Sequence, residues 1–385
     1  MVEDWQQGGF GIYIHWPFCE AKCPYCDFNS HVSRSIDQAA WKTAYLAELR
    51  RYAVETQGRI VTSVFFGGGT PSLMDPDTVA DVIAEIKRLW ATSNDFEITL
   101  EANPSSVEAG RFIAYRDGGV SRISMGIQAL NDTDLKRLGR IHTTQEALSA
   151  FDIARTTFDR VSFDLIYARQ NQTLADWRSE LKQALNLSID HLSLYQLTIE
   201  NGTAFGDRYA VGKLRGLPDE DLGADMFDLT QDICSEFGMP AYEVSNHASD
   251  SAQSRHNLIY WRYGDYIGIG PGAHGRLTLN GRRHATICYS NPKRWLDAVG
   301  LGSPEQSRES LLREDEATEF LLMGLRLREG IDTARYADLA GQPLDAQAVS
   351  HLTDIGMITA NASRLTVTDQ GFRVLNSVIS GLLNP

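Results

Sequence analysis

The chain has 385 residues, 43% hydrophobic and 22% charged, with a formal net charge of −14, which suits a globular protein too long for one ordinary core, so a large domain with a smaller companion is expected. So acidic a chain excludes sequence-independent nucleic-acid binding, which needs a basic face, while a local pair of arginines still allows an anionic small ligand. Residues 1–10 are acidic and lack an apolar core, and no apolar run reaches bilayer length, so neither a secretory signal nor a spanning helix is expected, and a cytoplasmic setting follows, with peripheral membrane contact allowed.

In chain order, residues 11–30 read G-I-Y-I-H-W-P-F-C-E-A-K-C-P-Y-C-D-F-N-S. A β-prone run enters Pro17 and then a loop carrying Cys19, Cys23 and Cys26 as C-x3-C-x2-C. The five cysteines are odd in number and the setting is reducing, which argues against a disulfide knot. Three thiolates this close fit three corners of an iron–sulfur cube and leave the fourth iron open for another ligand. A zinc site completed by His15 or a distant cysteine is the competing reading, although zinc sites usually pair two ligand clusters. Cys234 and Cys288 read as buried or incidental thiols.

Ser35 and Gln38 have capping-box spacing before a helix bearing Trp41, Tyr45, Leu49 and Tyr52 on one face. Residues 60–66 read as a strand ending in Gly67-Gly68-Gly69-Thr70-Pro71-Ser72. Asp75 and Pro76 then open a helix whose Val79, Val82, Ile83, Ile86 and Leu89 share a face. Strands follow at 96–101, 121–128, 160–166 and 191–197, separated by helical segments near 107–116, 144–155 and 175–187. Six β-runs alternating with helices predict an α/β fold, an incomplete parallel (β/α)6 barrel with a wide lateral opening. Cys19, residues 67–70, Glu101, Gln128, Asp164 and Gln196 fall at or just past C-terminal strand ends, the face where barrel sites are assembled.

The rhythm breaks near residue 201. A helix at 219–237 leads to Y-E-V-S-N (242–246), H-N-L-I-Y-W (256–261) and a Gly-rich run over 268–275. A polar stretch with Pro292 and Pro304 suggests a boundary, giving a partial barrel over 1–240, an extension over 241–300 and a mostly helical, winged-helix-like tail over 301–385. With so acidic a chain, the tail reads as a packing or lid module.

C-x3-C-x2-C after the first strand, F-F-G-G-G-T-P-S after the second, E-A-N-P after the third, and then S-M-G-I-Q, L-G-R-I-H, S-F-D-L-I-Y, Y-E-V-S-N and H-N-L-I-Y-W resemble the radical S-adenosylmethionine proteins of the oxygen-independent coproporphyrinogen oxidase-like group, above all its heme-chaperone branch. The resemblance covers nearly the whole chain. It implies a 4Fe–4S cluster on Cys19, Cys23 and Cys26 with S-adenosylmethionine on the open iron, contacted by Tyr13, Gly68 and Glu101. It implies a second-cofactor set in Tyr25, Gly69, Thr70, Gln128, Arg140 and Asp164, and heme contacts at His256, Asn257, Tyr260 and Trp261. Phe28 stands where the oxidase has a fourth cysteine, and the oxidase's long N-terminal extension is missing, which favours heme binding and delivery to an acceptor hemoprotein, membrane-associated or cytosolic. Oxidative decarboxylation of coproporphyrinogen III is the alternative, and a homodimer is allowed. Ala168-Arg169-Gln170-Asn171 departs from the Gly and Pro usual after the fifth strand and implies a reshaped pocket rim.

Overall fold

The computed structural model describes residues 3–33, 35–188 and 190–383. Its main feature is an 11-stranded open sheet. The six expected strands run parallel in sequence order: β1 (Phe10–Trp16), β2 (Ile60–Gly68), β3 (Ala91–Ala102), β4 (Arg122–Gln128), β5 (Arg160–Tyr167) and β6 (His191–Gln196). Alternation along β1 explains its two faces. Phe10, Ile12, Ile14 and Trp16 are fully buried, while Gly11, Tyr13 and His15 take the opposite side, together with Ser63, Glu101, Ser124 and Asp164 of the neighbouring strands.

The helices α1 (Gln38–Glu55), α2 (Pro76–Leu89), α3 (Asp132–Arg137), α4 (Thr144–Thr157) and α5 (Leu174–Leu187) lie between the strands. The capping box expected from Ser35 does not form. Asp37 caps α1 instead, its carboxylate accepting from the Ala40 N–H at 3.1 Å; an anionic acceptor beside the helix start suits the dipole better than a hydroxyl two residues away. At α2, Pro76 holds the first turn, but the Asp75 side chain makes no cap bond.

Past β6, α6 (Glu220–Glu236) packs on α5, and β7 (Asn246–Ala248) pairs antiparallel with β6 at one sheet edge. After α7 (Arg255–Trp261), the sheet gains a parallel strand that the Gly-rich run concealed, β8 (Asp265–Ile269), paired with β1 on its other side. β9 (His274–Leu279), β10 (Arg282–Cys288) and β11 (Glu305–Ser310) then extend it antiparallel to the far edge. Among the described residues the two edges do not pair, so the sheet stays laterally open. β8 is fixed by charge. Asp265 is fully buried and takes Arg59 at 2.7 Å and Arg283 at 3.1 Å. α8 (Pro292–Gly300) returns to α1, where Trp295 stacks on Trp41 with ring centroids 5.5 Å apart.

A second core lies in the tail. α9 (Arg313–Gly324), β12 (Ile331–Asp332), α10 (Thr333–Ala340), α11 (Ala346–Asp354), β13 (Ile358–Ala360), β14 (Arg364–Val367) and α12 (Leu375–Leu383) gather Phe320, Leu321, Leu325, Ile358, Leu365 and Ile379 around a three-stranded sheet ordered β12-β14-β13.

Candidate functional site

The cysteine loop and the C-terminal ends of β2 to β5 line a single cleft that is open to solvent at its mouth. Eleven of the residues singled out in the sequence line it together: Cys19, Cys23, Tyr25, Cys26, Gly68, Gly69, Thr70, Glu101, Gln128, Arg140 and Asp164. The three thiols are half-buried, and burial holds those of Cys19 and Cys26 above the ordinary value. Among the described residues, no three Cys, His, Asp or Glu converge where one metal ion would sit. The zinc reading therefore finds no donor set: His15 is committed elsewhere, and Cys234 and Cys288 are buried in the main core. An iron–sulfur cube takes one thiolate per iron, and Cys19, Cys23 and Cys26 all face this cleft.

The triple glycine serves the chain before any ligand. Gly68 has φ +109°, and a Cβ there would sit 2.6 Å from the His15 ring; at Gly69 it would sit 2.6 Å from the Phe18 carbonyl oxygen. The Gly69 and Thr70 N–H groups donate to the Trp16 and Phe18 carbonyls at 2.6 and 2.8 Å. The glycines thus let the end of β2 lie against the strand entering the cysteine loop.

His15 orders the same region. Its Nε2 lies 2.9 Å from the Asn29 carbonyl oxygen, which can only accept, so Nε2 carries the proton. Burial pushes its pKa down to about 4, so the ring is neutral and Nδ1 accepts from the Tyr13 hydroxyl at 3.0 Å. Asn29 in turn donates to the Pro271 and Ser290 carbonyls, both at 2.9 Å. The sequence did not signal the Asn29 role, because the two carbonyls its amide reaches lie more than two hundred residues away.

Two carboxylates share the floor of the cleft. Burial first, then the charge of Asp164, pushes Glu101 up to about 8 against a Gly68 N–H bond that favours the anion. Burial likewise pushes Asp164 up to about 6. Burial is the first cause of both shifts, and the Arg140 and Arg122 charges only partly offset it at Asp164, so a cationic ligand that pairs with either carboxylate relieves its cost. Gln128 adopts φ +75°, uncommon for a residue with a side chain, and its buried Oε1 has no partner among the described residues; strain and an unmet acceptor at a cleft wall are marks of a ligand site.

Arg140 joins none of the surface pairings its neighbours suggest. Its Nη2 donates to Asn103 Oδ1 at 2.7 Å and the Gly126 carbonyl at 2.8 Å, and its Nη1 lies 3.4 Å from Cys23 Sγ. Asp134 is taken instead by Arg137 and by Arg169, which is buried and also bridges to Glu180. That network is what the Ala168–Asn171 departure carries: left-handed backbone at Ala168 and Asn171, stapled by a buried guanidinium.

Tyr13 and the H-N-L-I-Y-W segment do not line this cleft. α7 packs on the site face beneath it, against β1, β2 and β8. His256 is 1% exposed, its Nδ1 2.7 Å from Ser63 Oγ, its Nε2 2.6 Å from Tyr260 Oη, and its ring stacked on Phe65. Burial pushes its pKa down to about 3, so it is neutral. Both nitrogens are engaged. Asn257, Tyr260 and Trp261 are only partly buried. On the same face as Asp164, Tyr195 of β6 keeps 42% of its surface exposed, a candidate contact that alternation alone did not distinguish from the rest of its strand.

No helix among the described residues is long and apolar enough to cross a membrane. Residues 13–184 match the model of the Radical SAM superfamily, and residues 311–374 that of the HemN C-terminal domain. The heme chaperone HemW of Haemophilus influenzae is 39% identical over 379 residues, 96% of each chain. The mitochondrial radical S-adenosyl methionine domain-containing protein 1 of Bos taurus is 37% identical over 388 residues, 97% of this chain and 87% of its own length. Among solved structures, the coproporphyrinogen III oxidase HemN of Escherichia coli superposes with a TM-score of 0.80 at 20% identity, over 98% of this chain and 90% of that one.

Proposed function

Because the chain belongs to the HemW/HemN-like group of the radical SAM superfamily, we propose that it is a heme chaperone, binding heme and passing it to an acceptor hemoprotein. The observation that carries this reading is the end-to-end match to heme chaperone HemW at 39% identity; the oxidase likeness, at 20%, concerns the fold. Phe28 supports the same reading, exposed at the cleft where the oxidase pattern has a fourth cysteine.

In this reading Cys19, Cys23 and Cys26 hold a 4Fe–4S cluster and Gly68 and Glu101 contact S-adenosylmethionine, with Tyr13 held behind them by His15. Bound there, the pair supplies one-electron cleavage of a sulfonium bond. The chain's own part is to shape the cleft, hold Glu101 and Asp164 buried in it and keep the loop still. Tyr25, Gly69, Thr70, Gln128, Arg140 and Asp164 provide room and polar groups for a second cofactor. Heme contact falls to Asn257, Tyr260 and Trp261, with His256 setting the Tyr260 phenol; ligation by His256 would first require its bond to Tyr260 to open. The setting is cytoplasmic, the acceptor is reached in solution or at a membrane face, and a homodimer is compatible with delivery.

The test is anaerobic reconstitution followed by heme titration, read by optical and EPR spectra, with the parent, His256→Ala and Tyr260→Phe side by side. Stoichiometric heme binding that Tyr260→Phe weakens is the expected result. Absence of heme binding, with conversion of coproporphyrinogen III by the reduced protein and S-adenosylmethionine, would replace this reading with the oxidase, which the intact cofactor cleft favours.

A further inference from the structure

We propose that Arg140 is a positioning residue for the cluster, donating an N–H···S bond to the Cys23 thiolate that raises the cluster's reduction potential. The proposal rests on the three cysteines holding the cluster and is independent of heme. Three observations carry it. Nη1 lies 3.4 Å from Cys23 Sγ, within reach of a hydrogen bond to sulfur. Nη2 is anchored by Asn103 Oδ1 and the Gly126 carbonyl, so the guanidinium plane is fixed from two strand ends. Both anchors are neutral, and among the described residues Arg140 forms no salt bridge, so its charge is left to act on the sulfur and, at longer range, on Asp164.

The segment bearing Arg140 is seated on the cysteine loop. Gly139 has φ +70°, and a Cβ there would sit 2.5 Å from Pro24 Cδ. Just beyond, His142 Nε2 lies 3.1 Å from the Ile127 carbonyl oxygen and ties the turn back to β4. Arg140 is thus held over Cys23 by backbone contact on one side and by a strand end on the other.

The electrostatic consequence has a definite sign. Reduction adds one negative charge to the cluster. A cationic donor on a ligand sulfur draws density from it and favours the reduced form, more so in a half-buried site than in water. Without that donor the cluster is harder to reduce.

The test is a dithionite redox titration of the reconstituted protein, followed by EPR, without S-adenosylmethionine so that cofactor contacts do not enter. Arg140→Gln, Arg140→Lys and the distant surface variant Arg116→Gln are compared at matched iron and sulfide content. Arg140→Gln is expected to shift the midpoint to lower potential, Arg140→Lys to shift it less, and Arg116→Gln to leave it in place. A parent-like midpoint in Arg140→Gln overturns the proposal, as does an unchanged midpoint with only S-adenosylmethionine affinity lost. If Arg140→Gln fails to retain a cluster, Arg140→Lys decides alone. The parent gives a second readout, because exchange into D2O must move an Fe–S(thiolate) stretch in the resonance Raman spectrum, and no movement overturns the proposal. Heme binding enters none of these outcomes, so failure of the chaperone reading leaves them intact.

Discussion

Glu101→Gln isolates the energetic cost built into the cleft. The Glu101 carboxyl rises from the ordinary 4.5 to about 8, mainly through burial and then through Asp164. Below pH 4.5 it is neutral folded and unfolded, so it costs nothing. Between 4.5 and 8 the folded state holds a proton that the unfolded state has released, so stability falls as pH rises, and above 8 the loss is complete. At about 1.4 kcal/mol per pKa unit, the ligand-free fold loses at most about 5 kcal/mol. For a chain of this length that corresponds to roughly 6 °C in melting temperature. Gln carries no charge to bury, so the variant should match the parent near pH 5 and melt about 6 °C higher near pH 8.5. The assay is the difference in anaerobic melting temperature between the two cluster-loaded proteins across that range, which cancels every titration they share. A difference that stays flat with pH refutes the reasoning. Saturating S-adenosylmethionine, which carries ammonium and sulfonium charges, should shrink the pH dependence by stabilising the parent's carboxylate.

Asp265→Ala leaves Arg59 and Arg283 buried without their counter-charge, so a loss of about 3–5 kcal/mol is expected in chemical denaturation; a parent-like midpoint would mean that water reaches the cluster. Gly139→Ala drives a Cβ into Pro24 and should lower iron and sulfide content after reconstitution while secondary structure by circular dichroism is kept; full cluster loading would show that the loop yields. His256→Ala strands the Ser63 and Tyr260 hydroxyls and opens a cavity, so a destabilisation of about 2–4 kcal/mol is expected even without heme. An unchanged melting temperature there would mean that the imidazole contributes nothing to the fold.

Much of this was legible because its causes are local. Alternation in β1 and β2, Pro76 at the start of α2 and the three-cysteine spacing each reveal their role within a few residues. β8 was not legible: its glycines read as a loop, and only Asp265, paired with Arg59 two hundred residues earlier, shows why the chain extends there. The capping signal at Ser35 failed for a local reason, since a better acceptor stands two residues on. The glycine triplet was legible as close approach, but what approaches first is the Phe18 backbone. His256 looked available to a ligand because a sequence motif does not tell which way its helix faces; the structure turns the imidazole inward onto Ser63 and leaves the partly exposed tyrosine as its outward neighbour.

The cysteine loop shows why such a site needs the whole chain. Few of its own backbone bonds hold it. Its anchors come from elsewhere: Asn29 reaches Pro271 and Ser290, Pro24 accepts from the Phe205 N–H at 2.8 Å, and Cys23 faces Arg140. Closing these long loops costs entropy that a short loop alone does not recover, so the loop takes its shape only after β8 to β10 and the turn before α4 are in place. Cluster loading should therefore follow folding of the sheet extension. A chain with the Asp265 charge cluster broken should lose the ability to take up iron and sulfide before it loses the hydrophobic core between β1 to β6 and their helices.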